Sequence, residues 1–284
     1  MKQLAELSLG WRTDLIFPRF DAQISARADH WLIRTPHNPT YWWGNFLLFD
    51  RAPREGDAAA WVAAFDEEIV QAQPESRHLA FGIDVAAPFV LPPDFAALGV
   101  ECRRSTVLTM SPGQLRAPRR MLGTGFEVRA LRLPEEAALA VEQQVAADQG
   151  MHEALGFRVY RERQMQRYGA MQRAGWGEWF GMFADMPHGA PILVADCGLF
   201  RNLADGGRLG RFQHVSTHPV WRRRGLCTAL IHAVCRHAFD TLGLETLVIL
   251  ADPDDVAIGL YESLGFRRGA DTWHIERPAP EDRR

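Results

Sequence analysis

Apolar residues at Leu226, Ala229, Leu230, Ala233, Val234 and Ala238 recur three and four apart, the spacing of one buried helical face. Gly243 stands where that helix is expected to stop. Thr246-Leu247-Val248-Ile249-Leu250 follows, a short β-branched and apolar run that reads as a strand buried on both faces. Asp252-Pro253-Asp254-Asp255 breaks it, and Val256 to Leu264 reads as a short helix carrying Tyr261 before Gly265. Upstream, Phe126 to Leu133 alternates in strand fashion, Pro134 opens a helix through about Ala147, and Tyr160 to Ala174 reads as a second helix. Strands follow at Trp179 to Ala184, Ile192 to Phe200 and Gly210 to Ser216.

The first part of the chain repeats some of this grammar. Tyr41 to Phe49 is a candidate strand, Gly56-Asp57 starts a helix through Ile69, His78 to Ile83 is another strand, and Phe95 to Val100 precedes a strand from Arg103 to Met110. Between the halves, Ser111-Pro112-Gly113 through Pro118 and Gly123 is rich in breakers and basic residues. The expected organisation is a domain over 1–115, a linker over 116–124 and a domain over 125–284.

Chemistry concentrates where the extended segment Val215-Ser216-Thr217 runs through His218-Pro219-Val220-Trp221 into Arg222-Arg223-Arg224-Gly225 and the helix opening at Leu226-Cys227-Thr228. A helix N-terminus offers unbonded backbone N–H groups and the positive end of the helix dipole, and three arginines add to its pull on a phosphate. Gly225 keeps a side chain from holding that phosphate off the backbone. A P-loop needs a Gly-Lys-Ser/Thr ending, and a dinucleotide fingerprint needs three glycines with an acid about twenty residues on; this turn has neither.

The stretch resembles the GNAT superfamily of acyl-CoA-dependent N-acetyltransferases. The family's phosphate signature is Arg or Gln, two residues, Gly, one residue, then Gly or Ala, and Arg222 to Cys227 fits it except at Cys227. A second pattern, Asn-x-x-Ala-x-x-x-Tyr followed by Leu-Gly-Phe, is echoed by Asp254, Ala257, Tyr261 and Leu264-Gly265-Phe266, with Asp254 in place of Asn. The resemblance implies an α/β (α+β) GNAT fold, a mixed central sheet flanked by helices, in two GNAT-like lobes of which the first is degenerate. It also implies acetyl-CoA as co-substrate, held by Val215, Ser216, Thr217, Arg222, Arg223, Arg224, Gly225, Leu226, Cys227, Thr228 and Asp254. A backbone N–H near Thr217 would polarise the thioester carbonyl, and the Tyr261 hydroxyl would protonate the departing sulfur. The segment Gly150 to Phe157, read as a loop between helices, would border the acceptor. Where many relatives place a glutamate base stands Gln213; His214, Glu178, Asp148, Glu153 or a bound water remain alternatives. The first lobe has no counterpart of the arginine-glycine turn or of Tyr261, so one coenzyme per chain is expected, with Trp42, Trp43 and Asn45 on the strand at 41–49 lining one wall of the acceptor site.

Composition narrows the partners. The 284 residues are 47% hydrophobic, enough for two cores, and a net charge of −3 leaves no footprint for nucleic acid. Lys2 is the single lysine among 32 basic residues, which argues against Schiff-base chemistry. Cys102, Cys197, Cys227 and Cys235 show no paired short spacing, and His214 and His218 bridge a strand and a turn, so neither a disulfide framework nor a metal is expected. No run reaches the ~18 apolar residues of a membrane span, and no signal-peptide pattern opens the sequence, so a cytoplasmic setting without membrane partners is expected. The expected acceptor is a primary amine of a small molecule or peptide; a homodimer is left open. The departures at Gln213, Cys227 and Asp254 keep a rival in view, a non-catalytic acyl-CoA-binding or regulatory module.

Overall fold

The computed structural model describes residues 1–120, 122–203 and 206–279; Met121, inside the expected linker, lies outside the described residues. The chain divides into two compact units. The first comprises 1–107, 250–255 and 268–284, and the second 108–249 and 256–267.

The first unit begins with two short helices, α1 (Leu9–Asp14) and α2 (Ile16–Asp21), then β1 (Gln23–Ala26), β2 (His30–Arg34), β3 (Phe46–Phe49), α3 (Asp57–Phe65), β4 (Leu79–Ile83), α4 (Pro93–Ala97) and β5 (Glu101–Met110). Its core is aromatic. Phe49 stacks on Trp61 at 3.6 Å between ring centroids, and Phe65, Phe81 and Phe95 pack edge-on around them. Edge-to-face and offset pairs let bulky rings fill a core at favourable electrostatics.

One expected strand in this unit is corrected. Tyr41 to Phe49 is not one strand: Trp42–Gly44 forms a 3-10 turn and the strand starts at Phe46. Asn45 is fully buried, accepting from the Thr35 amide (2.8 Å) and Gln73 Nε2 (2.9 Å) while donating to the Tyr41 and Asn38 carbonyls. A short amide side chain that bonds neighbouring backbone competes with a strand ladder, and here it is spent riveting the turn. Trp42 stacks on His78, and Trp43 packs on Trp11, Phe46 and His274. Asn45 is buried in the unit's own packing, while Trp42 and Trp43 are half-buried.

The second unit runs β6 (Phe126–Ala130), α5 (Ala137–Asp148), α6 (Ala154–Arg173), β7 (Gly177–Ala184), β8 (Ile192–Arg201), β9 (Leu209–Thr217), α7 (Leu226–Asp240), β10 (Thr246–Ala251), α8 (Ala257–Leu264) and the two-residue β11 (Arg267–Arg268). Its sheet has the order β10-β9-β8-β7-β6, parallel at β10/β9 and antiparallel elsewhere. Leu226, Leu230, Ile231, Val234, Cys235 and Ala238 form the buried face of α7. The expected loop at Gly150 to Phe157 ends earlier than read. Glu153 caps α6 by accepting from the Leu155 and Gly156 amides (2.9 and 2.6 Å), so Leu155-Gly156-Phe157 is the first helical turn.

The last strand, β12 (Thr272–Arg277), lies within the stretch expected to belong wholly to the second domain, yet it pairs in the first unit's sheet. That sheet reads β1-β2-β3-β4-β12-β5, with Ile275 opposite both Phe81 and Cys102. β12 is a central strand, hydrogen-bonded to β4 on one side and β5 on the other. Burial of Trp273 and Ile275 alone contributes about 3–6 kcal/mol, comparable to the whole stability of a small domain. Ending the chain at Gly269 should therefore remove the first unit's cooperative unfolding transition and its near-ultraviolet tryptophan signal, while the second unit keeps its own; a truncated chain that melts like the full one would refute this.

Candidate functional site

Strand β9 is irregular where it approaches the arginine-glycine turn. Asp196 of β8 lies opposite Ser216 and Gly198 lies opposite Gln213, so two residues of β9, His214 and Val215, face the single Cys197. His214 takes the extra place with φ +46°, a bulge that re-aims side chains and breaks strict alternation. Gln213, expected where a base would stand, shares a hydrogen bond with the Tyr168 hydroxyl.

Beyond Thr217 the chain turns through a 3-10 segment at Pro219–Trp221 into Gly225, the N-cap of α7, with φ +83° and ψ 5°. Non-glycine residues enter this left-handed region only at a cost. With no side chain to cap the helix, and the first i to i−4 bond running from Ala229 to the Gly225 carbonyl, the amides of Leu226 and Thr228 have no intrahelical acceptor. Leu226 is buried, so only its backbone serves this turn, whereas Cys227 and Thr228 are half-buried. The three arginines differ. Arg222 donates to the Thr217 carbonyl (3.1 Å), the Ala147 carbonyl (2.9 Å) and Gln149 Oε1, tying β9 to the end of α5. Arg223 has φ +61°, and Arg224 lies over the Trp221 ring at 4.7 Å. Asp254 sits on the exposed turn after β10, its amide bonded to the Asp252 carboxylate.

The first unit holds an instructive counterpart. Helix α3 also starts from a left-handed glycine, Gly56, at φ +93° and ψ −13°. There the Asp94 carboxylate accepts from the amides of Gly56 (3.0 Å) and Ala58 (3.2 Å), so a side chain already supplies the anion.

Tyr261 is buried in α8 and packs on Phe266, which in turn meets Phe212 of β9. The Leu-Gly-Phe turn has a steric cause: Gly265 ends α8 at φ +109°, and a Cβ there would lie 1.9 Å from the Gln114 carbonyl oxygen. The adjacent Arg116 amide bonds the Leu264 carbonyl, so part of the expected linker is strapped to α8.

The carboxylates considered as bases are committed elsewhere. Burial opposes charge on Asp148, but hydrogen bonds from the His152 ring and amide hold its pKa below the ordinary aspartate value. Glu153 is lowered by the amides it caps, and Glu178 pairs with His237 at 2.8 Å. His214 differs: burial, aided by the Arg161 charge, holds its pKa well below the usual histidine value, and its Nε2 has no hydrogen-bond partner.

Beside it lies a buried polar cluster that sequence patterning did not find. Asp196 accepts from Ser216 Oγ, Gln144 Nε2 (2.6 Å) and Trp179 Nε1 (3.0 Å), and Gln143 donates to Ser216. Burial pushes the Asp196 carboxyl up while these bonds pull it back. Arg161 and Gln164 of α6 are also buried. Their one signal in the sequence is spacing: Arg161, Gln164 and Tyr168 share the helical face of Met165 and Met171.

The family model for the acetyltransferase (GNAT) family matches residues 159–266. Residues 159–266 are a GNAT acetyltransferase domain. The whole chain is similar in structure to a functionally unknown conserved protein from Staphylococcus epidermidis, with a TM-score of 0.69 and 12% identity over 91% of this chain and 95% of that one. A GCN5-related N-acetyltransferase from Kribbella flavida gives a TM-score of 0.63 at 18% identity, over 94% and 93%. A tandem GNAT protein from the clavulanic acid biosynthesis pathway gives 0.58 at 14% identity, over 97% and 93%. Curated protein sequences yield no significant match. At these identities the likeness is one of fold, and the fold is a mixed α/β sheet flanked by helices in the tandem GNAT pattern. Among the described residues no cluster of metal-ligating side chains occurs.

The steric reading of the GNAT domain's Leu-Gly-Phe turn is testable. Gly265→Ala must relieve both a left-handed φ and a backbone clash, and should destabilise the protein by about 2 kcal/mol or more in urea denaturation. An unchanged midpoint would show that α8 ends independently of residues 114–116.

Proposed function

We propose that the GNAT domain is an N-acyltransferase that binds acetyl-CoA at the β9–α7 turn and passes its acetyl group to a primary amine. The observation that carries this reading is the contrast between the two left-handed glycine helix starts. At Gly56 the helix end is closed by Asp94; at Gly225 the amides of Leu226 and Thr228 have no intrahelical acceptor, and Arg223 and Arg224 precede them. A pyrophosphate fits the second and is repelled by the first. Val215, Ser216 and Thr217 lead the coenzyme's arm along β9, while the Leu226, Cys227 and Thr228 amides face the pyrophosphate. Arg222 acts here through the loop it holds. One chain then takes one coenzyme.

In the reaction the amine nitrogen attacks the thioester carbonyl, a tetrahedral oxyanion forms against a backbone N–H near Thr217, and the carbon–sulfur bond breaks. The Tyr261 hydroxyl supplies a proton to the leaving sulfur. The amine's proton goes to His214 Nε2, directly or through a bound water: Gln213 cannot accept it at useful pH, Asp148 and Glu153 already accept hydrogen bonds, and His214 Nε2 has no hydrogen-bond partner.

Calorimetric titration with CoA should give one site per chain, and Gly225→Asp should weaken it more than tenfold, about 1.4 kcal/mol, by setting a carboxylate against the phosphates. Unaltered affinity in a folded variant would sink the assignment.

Tyr261→Phe and His214→Gln should each lower turnover by roughly 10² or more with little change in CoA affinity, as expected for interactions made only in the transition state. Tight CoA binding without thiol release from any amine would favour the non-catalytic module instead.

A further inference from the structure

Arg161 is 3% exposed; it hydrogen-bonds the Tyr160 side chain, and its charge reaches the buried Asp196 carboxylate through space. Its Nε donates to Gln144 Oε1 at 2.5 Å, its guanidinium lies 5.6 Å from the Tyr160 ring centroid, and Nη2 has no hydrogen-bond partner. A buried cation with no anion bonded directly to it is poorly compensated for the water it has lost. Asp196 does not supply that anion directly: it is reached only through the Gln144 amide, and its oxygens already accept from Ser216, Gln144 and Trp179.

Other polar groups around Arg161 are equally unmatched. Gln164 follows by three residues on the same helical face, 1% exposed, with neither its amide nitrogen nor its amide oxygen bonded. His214, near enough to feel the Arg161 charge, has Nε2 without a partner. The cluster therefore offers two unused donors, Arg161 Nη2 and Gln164 Nε2, and two unused acceptors, Gln164 Oε1 and His214 Nε2, beside the β9 bulge. A guanidinium with an adjacent amide donor matches the two oxygens of a carboxylate, and the acceptors match an amine.

We propose that the acceptor is a small amino-carboxylic acid, an amino acid or close relative, whose carboxylate is held by Arg161 and Gln164 while its amine is presented toward His214 and the thioester. This rests on the acyltransferase reading above and adds the acceptor's class to it. Arg161 and Gln164 are thus specificity residues, in contact with substrate but outside the bond-making steps.

The test uses the full chain with acetyl-CoA, following thiol release from matched pairs of acceptors with and without the carboxylate: phenylalanine and phenethylamine, lysine and cadaverine, threonine and 1-amino-2-propanol. The carboxylated member of at least one pair should be preferred about 100-fold in kcat/KM, since the unpaired guanidinium penalises its partner. In Arg161→Gln the preference should collapse through KM with kcat largely kept, and Arg161→Lys should restore part of it. Should Arg161→Gln fail to fold, Gln164→Leu carries the test, with about a tenfold rise in KM for carboxylated acceptors only. Equal use of both members of every pair, a preference that survives in folded Arg161→Gln, or an unmoved KM in Gln164→Leu overturns the carboxylate site and leaves the transferase reading standing. Absence of thiol release from every acceptor overturns the transferase reading itself, and this inference with it.

Discussion

Strand β9 is paired on both sides, antiparallel to β8 and parallel to β10, and carries one residue more than β8 opposite Cys197. The extra residue cannot be absorbed by sliding, because a one-residue slip would reverse every side chain on a strand buried in a sheet. It is absorbed at His214, in a left-handed conformation. The ladder recovers at Ser216 and Thr217, and the chain leaves for α7 from a fixed position. The bulge, the Ser216–Asp196 bond and the tie from Arg222 to the Thr217 carbonyl therefore belong to one mechanical unit.

That unit explains why so many polar groups tolerate burial here. Gln143 and Gln144 reach inward from α5 because β8 and β9 offer hydroxyl and carboxylate partners between hydrophobic neighbours such as Met165 and Trp179, and Arg161 of α6 follows them onto the Gln144 amide. A network of this kind is stabilising only when its members are matched. Asp196 is matched three times over, whereas Gln164 and the far side of Arg161 are not. Such local incompleteness is where a protein interior ceases to be mere packing.

Periodicity made much of this legible in the sequence. The apolar stripe of α7, the β-branched run of β10 and the glycines at 225 and 265 each record a local constraint, and each stands in the fold where its chemistry requires it. What stayed hidden depends on partners far along the chain. Thr272 to Arg277 alternates like any strand, but nothing local says that β4 and β5 await it. Asn45 reads as a strand residue until Thr35 and Gln73 are placed around it. Arg161 and Gln164 pass for a solvated helical face, because polar residues at helical spacing look alike whether they meet water or a buried carboxylate. Tyr261 and the arginine-glycine turn are short-range signals; the polar cluster is assembled from five elements and has no short-range signature.

Asp94 gives the first unit a different relation to its surroundings. By holding the amides of Gly56 and Ala58 with its own carboxylate, the unit carries a tethered anion that no dilution removes. Its helix start is satisfied by the chain itself, whereas at the second unit's no carboxylate is bonded to the amides of Leu226 and Thr228 among the described residues. On the reading proposed above, the two halves of one chain obey different laws of stability: one is fixed by its sequence, and the other rises with the logarithm of free coenzyme. Scarcity of coenzyme would then loosen the catalytic half first and leave its companion intact.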